Sequence, residues 1–213
     1  MKRLADRVEG GRQLAEQLHE YAGRDDVVVL GLPRGGVPVA AEVARALGAP
    51  LDVFLVRKLG VPGREELAFG AIALGGARVL NRDVVATLGI DDETIEAVAQ
   101  REQAELERRA QAYRGSTEPP GVRGRTVILV DDGLATGASM RAAVEAVRAL
   151  APERVVVAVP AAARETCSEL ARHVDKIVCL MTPEPFFAVG MWYRDFTETS
   201  DDDVRAALAA ARS

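Results

Sequence analysis

The chain is poor in the residues that build zinc sites and disulfide frameworks. Its 213 residues include two cysteines, Cys167 and Cys179, and two histidines, His19 and His173. The cysteines are far from any CxxC spacing, and the histidines are not clustered with them. The sequence therefore predicts neither a zinc site nor a disulfide framework, and it fits the reducing environment of the cytoplasm.

Positive charge and long apolar runs are also scarce. Lys and Arg number 27 against 32 Asp and Glu, which gives a net charge of −5. This balance does not suit a protein that binds nucleic acid by neutralising phosphates. No apolar run approaches the length of a membrane span, and the N-terminal stretch MKRLADRVEGGRQLAEQL lacks the apolar core of a targeting signal. We therefore expect a cytoplasmic protein with no nucleic acid partner and no membrane partner.

Apolar runs and amphipathic stretches alternate along the chain. The predicted strands are VVVLGL (27–32), LDVFLV (51–56), VILV (127–130), RVVVAVPA (154–161) and KIVCLM (176–181). Helices are predicted between them, among them one over 36–48 that Gly48 ends and one near 164–173. A further helix at the N-terminus is marked by Asp6 and Glu9, which are spaced as a capping box. This alternation predicts an α/β fold with a doubly wound, mostly parallel sheet flanked by helices, in which ligands bind beyond the carboxyl ends of the strands.

A long insertion, 59–125, separates the second predicted strand from the third. Within it, AFGAIALGGARVL (68–80) has a Gly-Gly pair between apolar stretches and predicts a hairpin. Residues 91–114 predict one long charged helix, which suits a lid, a dimer surface or a solvated strut. We expect a single domain over 1–213, in which part of the insertion forms a lid and 182–213 form a small C-terminal hood.

The stretch VILVDDGLATGASM (127–140) carries the strongest chemical signal. A buried strand ends in Asp131 and Asp132, and a loop rich in Gly, Thr and Ser then leads into a helix, whose free N–H groups and dipole favour phosphate. An ordinary turn with an Asp cap explains one carboxylate, but not two followed by this loop. The sequence has no Walker loop, no GxGxxG and no Asp-x-Asp of haloacid dehalogenase phosphatases, and a receiver domain has no use for such a loop.

The segment VILVDDGLATGAS resembles the signature of the type I phosphoribosyltransferases, with Ser139 where Thr is commoner. The resemblance implies their fold and the substrate phosphoribosyl pyrophosphate (PRPP). It implies that Asp131 and Asp132 are catalytic, bind the ribose hydroxyls and serve as ligands of Mg²⁺. The residues that it assigns to the 5-phosphate are Gly133, Leu134, Ala135, Thr136, Gly137, Ala138 and Ser139.

Two further stretches resemble pyrophosphate-binding elements of the family. GLPRGGVPVA follows the first strand, where the family has a short pyrophosphate loop, so Arg34, Gly35 and Gly36 are predicted to bind pyrophosphate. VRKLGVPG (56–63), at the end of the second predicted strand, resembles an element of adenine phosphoribosyltransferases and adds Arg57 and Lys58. The alternatives are a glycine-rich turn with a solvated Arg and a charged strand end.

The acid and the base pocket are predicted from looser similarities. Glu66 is the candidate general acid, since the adenine enzymes place an acidic residue in the mobile loop that follows; a glutamate that merely begins a helix is the alternative. PEPFFAVGMWYRDF loosely resembles the tail of hypoxanthine-guanine phosphoribosyltransferases, which implies that Phe187 stacks on the base and Asp195 reaches the metal. One residue is inserted before Asp195 and Ala135 replaces a loop Asp, which argues against hypoxanthine or guanine. Trp192 and Tyr193 are expected to pack in the core.

The resemblance implies an enzyme that transfers the 5-phosphoribosyl group between PRPP and a nitrogenous base with Mg²⁺, releasing pyrophosphate, and that forms a homodimer. A PRPP-sensing regulator of the same fold is the alternative, because fold does not dictate function. The acidic charge balance disfavours a regulator that binds nucleic acid, and an intact pyrophosphate site favours the enzyme. A domain that works beside a hydrolytic domain is a third reading.

Overall fold

A computed structural model describes residues 3–211 of the chain, without the side chain of Glu66. Strands and α-helices alternate along these residues. The strands are β1 (Val27–Gly31), β2 (Leu51–Val53), β3 (Val56–Val61), β4 (Arg64–Ala73), β5 (Arg78–Leu80), β6 (Thr126–Val130), β7 (Arg154–Ala161) and β8 (Lys176–Met181). The helices are α1 (Arg7–Gln17), α2 (Gly36–Leu47), α3 (Arg82–Leu88), α4 (Asp92–Arg114), α5 (Ala138–Ala149), α6 (Arg164–Leu170) and α7 (Asp201–Ala210).

The main sheet is parallel throughout and has the strand order β2-β1-β6-β7-β8. Every residue of the central strands β1 and β6 is buried, as expected for strands that helices cover on both faces. Helices α1 and α2 pack on one face, and α5 and α6 pack on the other. The predicted doubly wound α/β fold is confirmed.

The start of the chain contacts the C-terminal segment. Leu4 pairs with Tyr193 in an isolated parallel bridge, and the amide of Asp195 donates to the carbonyl of Ala5 at 2.8 Å. The predicted capping box is only half formed. The Asp6 side chain accepts from the amide of Glu9, as expected, but the Glu9 carboxylate accepts from the amide of Ala5 instead of Asp6.

The predicted strand 51–56 is wrong, because the chain leaves the main sheet within it. The amide of Phe54 makes the last hydrogen bond to β1, to the carbonyl of Gly31, and Val56 already pairs with Ala73 in a second, antiparallel sheet of order β3-β4-β5. Leu55 and Leu59 pack with Phe69 of β4 in an apolar cluster separate from the one that contains Phe54. Arg57 and Lys58 therefore lie in the small sheet and not at the carboxyl edge of the main one.

The hairpin and the long helix that the sequence predicts within the insertion are confirmed. β4 and β5 form the hairpin, and its Gly75 and Gly76 have φ values of +89° and +82°, which favour glycine. The helix predicted over 91–114 is α4. Its buried face, which includes Leu106, packs with β3, β4 and α7, so α4 belongs to the core on that side and is not a fully solvated strut.

The sequence predicts no disulfide framework, and the described residues contain one disulfide, between Cys167 of α6 and Cys179 of β8. The two cysteines are only 12 positions apart, but no standard spacing links them, and it is the packing of α6 beside β8 that brings them together. Among residues 3–211, no helix has the length and apolarity needed to cross a bilayer.

Candidate active site

The two loops singled out in the sequence leave the same edge of the main sheet. β1 and β6 are parallel neighbours, and their last residues, Gly31 and Val130, lie opposite each other. A Cβ atom at Gly35 would lie 2.0 Å from Oδ2 of Asp132, and one at Gly36 would lie 2.6 Å from the carbonyl oxygen of Val130. Only glycine allows so close an approach. The predicted pyrophosphate loop is therefore in contact with the acidic pair.

The helices after these loops begin without a side-chain cap. The N-caps of α2 and α5 are Gly35 and Gly137. By contrast, side chains cap four other helices of the described chain: Asp6, Asn81, Asp91 and Ser200 for α1, α3, α4 and α7. The first N–H groups of a helix lack partners within it and attract anions when no side chain caps them. Both loops thus lead into helix ends suited to oxyanions.

Contacts with β7 and α6 hold the loop 133–139 in place. The amide of Leu134 donates to the carbonyl of Ala161 at 2.9 Å, and the hydroxyl of Thr166 in α6 donates to the carbonyl of Ala135 at 2.6 Å. Gly137 has φ +70°, in the left-handed region, and a Cβ there would lie 2.5 Å from Thr166 Cγ2. These contacts restrict the conformation of the loop.

The acidic pair is balanced by an arginine that the sequence did not indicate. Nε and Nη2 of Arg7 lie 2.9 Å and 2.8 Å from Oδ2 of Asp132, across 125 positions of sequence. The Asp132 amide donates to Oδ1 of Asp131 at 2.8 Å. Burial, and then the charge of Asp132, raise the pKa of Asp131 well above its usual value; burial also raises the pKa of Asp132, although Arg7 opposes that shift. Arg7 begins a helix in which nothing local signals a site residue.

Arg34 lies in the loop as predicted and is paired with the C-terminal segment. It forms an ion pair with Glu198, and its Nη1 is 3.9 Å from Asp201. Its side chain is 41% exposed and borders a cavity of about 300 Å³, which Arg108 and Arg109 of α4 also line. Arg34 is thus at the surface, beside further guanidinium groups.

Arg57 and Lys58 lie elsewhere, in a cavity of about 490 Å³ that they share with Ser139. Arg57 Nε donates to Glu102 of α4 at 2.7 Å, and Arg101 pairs with the same buried carboxylate. The structure therefore brings Arg57 and Lys58 together with the end of the predicted phosphate loop, whereas Arg34 borders a different cavity. Their assignment to pyrophosphate stays a prediction.

The remaining candidates are spread over the hairpin and the C-terminal segment. The Glu66 side chain lies outside the described residues. Phe187 is 75% exposed. Asp195 is exposed, and its Oδ1 accepts from the amide of Thr197 at 2.9 Å and from its hydroxyl at 2.6 Å. Among the described residues, Asp195 is not part of a cluster of three or more acidic side chains with Asp131 that could hold a metal ion.

Tyr193 combines packing with a contact at the site. It is 2% exposed, which confirms the prediction of core packing, and its hydroxyl donates to the main-chain oxygen of Asp132 at 2.6 Å. Burial, then the charge of Asp132, raise the pKa of the Tyr193 hydroxyl, so it stays a donor at neutral pH. Trp192 is only half-buried and stacks on Phe186 at 6.3 Å between ring centroids.

The donor set suits a metal that arrives with its substrate. Within the described part of the chain, no group of three or more His, Cys, Asp or Glu side chains could hold a metal ion. Asp131 and Asp132 offer carboxylate oxygens, and Mg²⁺ is commonly held by one or two carboxylates plus water and substrate phosphates. The residues present therefore fit Mg²⁺ bound together with a phosphorylated ligand.

Comparison with known families agrees with this geometry. The sequence model of the phosphoribosyl transferase domain matches residues 2–193. The chain belongs to the phosphoribosyl transferase domain family. The match runs from the N-terminal helix through both loops to Tyr193, and thus includes every element that contacts the acidic pair.

Individual relatives share much of the sequence. A Mycobacterium tuberculosis protein named "Putative phosphoribosyl transferase Rv0571c" is 51% identical over 99% of this chain and 47% of its own length. The chain therefore spans about half of that relative. The "Bifunctional protein PyrR" of Chloroflexus aurantiacus is 34% identical over 59% of this chain and 65% of its own. The crystal structure of the protein TT1426 from Thermus thermophilus aligns with a TM-score of 0.87 and 48% identity, covering 98% of both chains.

Proposed function

We propose that this protein uses PRPP with Mg²⁺ to transfer the 5-phosphoribosyl group to a nitrogenous base: the bond from the anomeric carbon to pyrophosphate breaks, the bond to a base nitrogen forms, and pyrophosphate leaves. In the reverse direction pyrophosphate takes the group from the nucleotide and releases the base. The observation that carries the proposal is the contact between the loop after β1 and the acidic pair after β6, where Gly35 meets Asp132. That contact puts an arginine-bearing anion loop, two carboxylates and two uncapped helix ends at one edge of the sheet. A phosphorylated sugar with a second anionic group matches this combination.

The 5-phosphate is assigned to the loop 133–139. Thr136 and Ser139 supply hydroxyls, and α5 supplies N–H groups and the positive end of its dipole. Thr166 and Leu134 fix the loop from behind, which lowers the cost of ordering it around the ligand. Arg57 and Lys58 line the cavity that also contains Ser139, and we keep their proposed role in binding pyrophosphate.

The ribose is assigned to Asp131 and Asp132, whose carboxylates accept hydrogen bonds from its hydroxyls. Because bond breaking at the anomeric carbon develops positive charge on the sugar, carboxylates at this place also stabilise the transition state. Mg²⁺, when bound with the substrate, supplies Lewis acidity that eases departure of pyrophosphate. Arg34 and the amide of Gly35 bind the pyrophosphate. The amide of Gly36 already donates to the carbonyl of Leu32 at 3.0 Å, so Gly36 contributes by allowing the close approach of the loop.

The base is assigned to the side of the C-terminal segment. A Cβ at Gly133 would lie 2.5 Å from Val189 Cγ1, so this segment covers the start of the phosphate loop, as a hood would. Phe187 is exposed near that cover and offers a face for stacking. Glu66 remains the proposed general acid and Asp195 a proposed metal ligand. We further propose a single domain, a lid formed by part of 59–125, a homodimer and a cytoplasmic location.

The deciding experiment incubates the protein with Mg²⁺, PRPP and a mixture of purine and pyrimidine bases, and follows pyrophosphate release and new nucleotide masses together. A nucleotide that depends on one base identifies the acceptor. Tight PRPP binding without turnover favours the sensing regulator instead. Absence of PRPP binding contradicts both readings. The same assay on a double-length relative tests whether the additional half changes the reaction.

A further inference from the structure

Arg7 connects three parts of the site. Two of its nitrogens approach Oδ2 of Asp132, at 2.9 Å and 2.8 Å, and Nη1 donates to the carbonyl of Thr197 at 2.8 Å. Its guanidinium carbon also lies 3.9 Å from the centre of the Phe196 ring. One planar side chain therefore joins the acidic pair to the C-terminal segment, which a planar guanidinium can do and a lysine ammonium cannot.

The ion pair between Arg7 and Asp132 is largely buried and is held in place by neighbouring residues. The side chains of Arg7 and Asp132 are 12% and 15% exposed. Gly35 lies against the same oxygen, Oδ2, that Arg7 contacts, and Tyr193 donates to the main-chain oxygen of Asp132. Both Arg7 contacts go to Oδ2, so Oδ1 is the oxygen of this carboxylate that Arg7 leaves for a ligand. With Oδ2 fixed, the direction in which Oδ1 points is fixed as well.

The same contacts seat the C-terminal segment. The chain around Leu4 and Ala5 pairs with 192–195 through main-chain hydrogen bonds, and Arg7 adds Thr197 and Phe196 to that contact. Loss of Arg7 therefore releases a carboxylate at the ribose position and loosens the cover of the site together. A residue that only stabilises the fold elsewhere would neither release this carboxylate nor loosen the C-terminal segment when it is lost.

We propose that Arg7 is a positioning residue of the substrate site: it orients the Asp132 carboxylate toward the ribose and couples the C-terminal segment 193–197 to it. This proposal rests on the proposed function, because the ribose is PRPP's. Arg7 acts through Asp132 and is not itself a contact of the reacting atoms.

The test measures the Kd of PRPP with Mg²⁺ by titration calorimetry for the wild type, Arg7→Gln, Arg7→Lys, Asp132→Asn and the double variant Arg7→Gln/Asp132→Asn. We expect Arg7→Gln to raise the Kd about 10- to 100-fold, since small misplacements of a positioned group cost this much. The Kd of Arg7→Lys should lie between those of the wild type and Arg7→Gln, because lysine restores the positive charge but not the three contacts of the guanidinium. In the double variant the two losses should combine less than additively, because the loss of orientation acts through Asp132 and is already present in Asp132→Asn, and only the loosened C-terminal segment adds to it.

Arg12→Gln is the matched control, because Arg12 lies on the same helix and is also paired with a carboxylate, Glu42, but is 64% exposed. It should change the Kd by less than about 2-fold. A calorimetric stoichiometry near one site per chain shows that a variant is folded. If Arg7→Gln does not fold, Arg7→Lys still decides the test.

Wild-type affinity in Arg7→Gln or Arg7→Lys, or additive losses in the double variant, would overturn the role of Arg7. A wild type that does not bind PRPP is a different result: it refutes the proposed function, and the inference falls with it. The two failures are told apart by the wild type alone.

Discussion

The two loops at the site each carry charge that a distant part of the chain balances, but they do so in opposite environments. Asp132 pairs with Arg7, and the Arg7 and Asp132 side chains are 12% and 15% exposed. Arg34 pairs with Glu198, and those side chains are 41% and 78% exposed. The first pair joins the start of the chain to the centre of the sheet edge, and the second lies at its surface.

This difference separates a fixed group from an exchangeable one. Breaking a buried ion pair leaves an uncompensated charge and costs about 3–5 kcal/mol, whereas an exposed pair contributes about 0–1 kcal/mol. An anion that binds at Arg34, as we propose for pyrophosphate, can therefore displace Glu198 at little cost. No ligand can displace Arg7 from Asp132 so cheaply, so that pair belongs to the framework of the site.

The largest effect is expected where both carboxylates are removed. Asp131→Asn with Asp132→Asn should weaken Mg²⁺-dependent PRPP binding by roughly 100-fold or more, since hydrogen bonds to charged groups are worth about 1.5–3 kcal/mol each. Titration calorimetry with and without Mg²⁺ checks this. The exposed Asp25→Asn, at the opposite edge of the sheet, is the control, and retained affinity in the double variant would refute the ribose assignment.

The two ion pairs can be compared directly through stability. Arg7→Gln should lower the free energy of unfolding by about 3 kcal/mol, and Glu198→Gln by less than about 1 kcal/mol. Urea unfolding followed by circular dichroism gives both values. Equal changes would mean that burial does not distinguish the pairs, and the contrast between a fixed and an exchangeable charge would be lost.

A smaller effect is expected at the exchangeable end. Arg34→Ala should weaken pyrophosphate binding about 10-fold, because one charge-assisted contact is lost, and should barely change binding of ribose 5-phosphate. Competition of each compound against PRPP measures the two affinities. Arg45→Ala, on the exposed face of α2, is the matched control. Losses of equal size for both ligands would remove Arg34 from the pyrophosphate site.

The smallest effect concerns the pH dependence of stability at Asp131, whose pKa burial and the charge of Asp132 raise. A carboxyl group with a raised pKa in the folded state loses stability as the pH rises from its unfolded pKa, about 4, through the raised value. Asp131→Asn removes this loss. Without ligand, the variant should therefore gain stability over the wild type at pH 8, and the gain should shrink toward pH 5. Urea unfolding at both values checks it; a gain that grows as the pH falls contradicts the assignment.

Sequence reasoning worked best where neighbours in the chain are also neighbours at the site. The acidic pair, the glycines and the uncapped start of α5 all lie within 127–140, so one short stretch predicted them together. The loop with Arg34 was found in the same way, and the parallel order of β1 and β6 then placed both loops at one edge.

Sequence reasoning failed where one local pattern is compatible with two different tertiary arrangements. LDVFLV reads as one strand, but competition between pairing with β1 and pairing with β4 splits it after Val53, which moves Arg57 and Lys58 to another sheet. The disulfide between Cys167 and Cys179 depends on how α6 lies beside β8. The assignments of Phe187, Asp195 and Glu66 need a bound ligand and stay predictions.

By itself, the sequence determined the alternation of strands and helices, the family signature and the chemistry of the two loops, because hydrophobic periodicity and short motifs are properties of adjacent residues. Only the tertiary structure decided which charges meet. Arg7 reaches Asp132 across 125 positions, and Glu198 reaches Arg34 across 164. Ion pairing depends on the distance between the charges and on their burial, and both are set by the packing of residues that are far apart in the sequence.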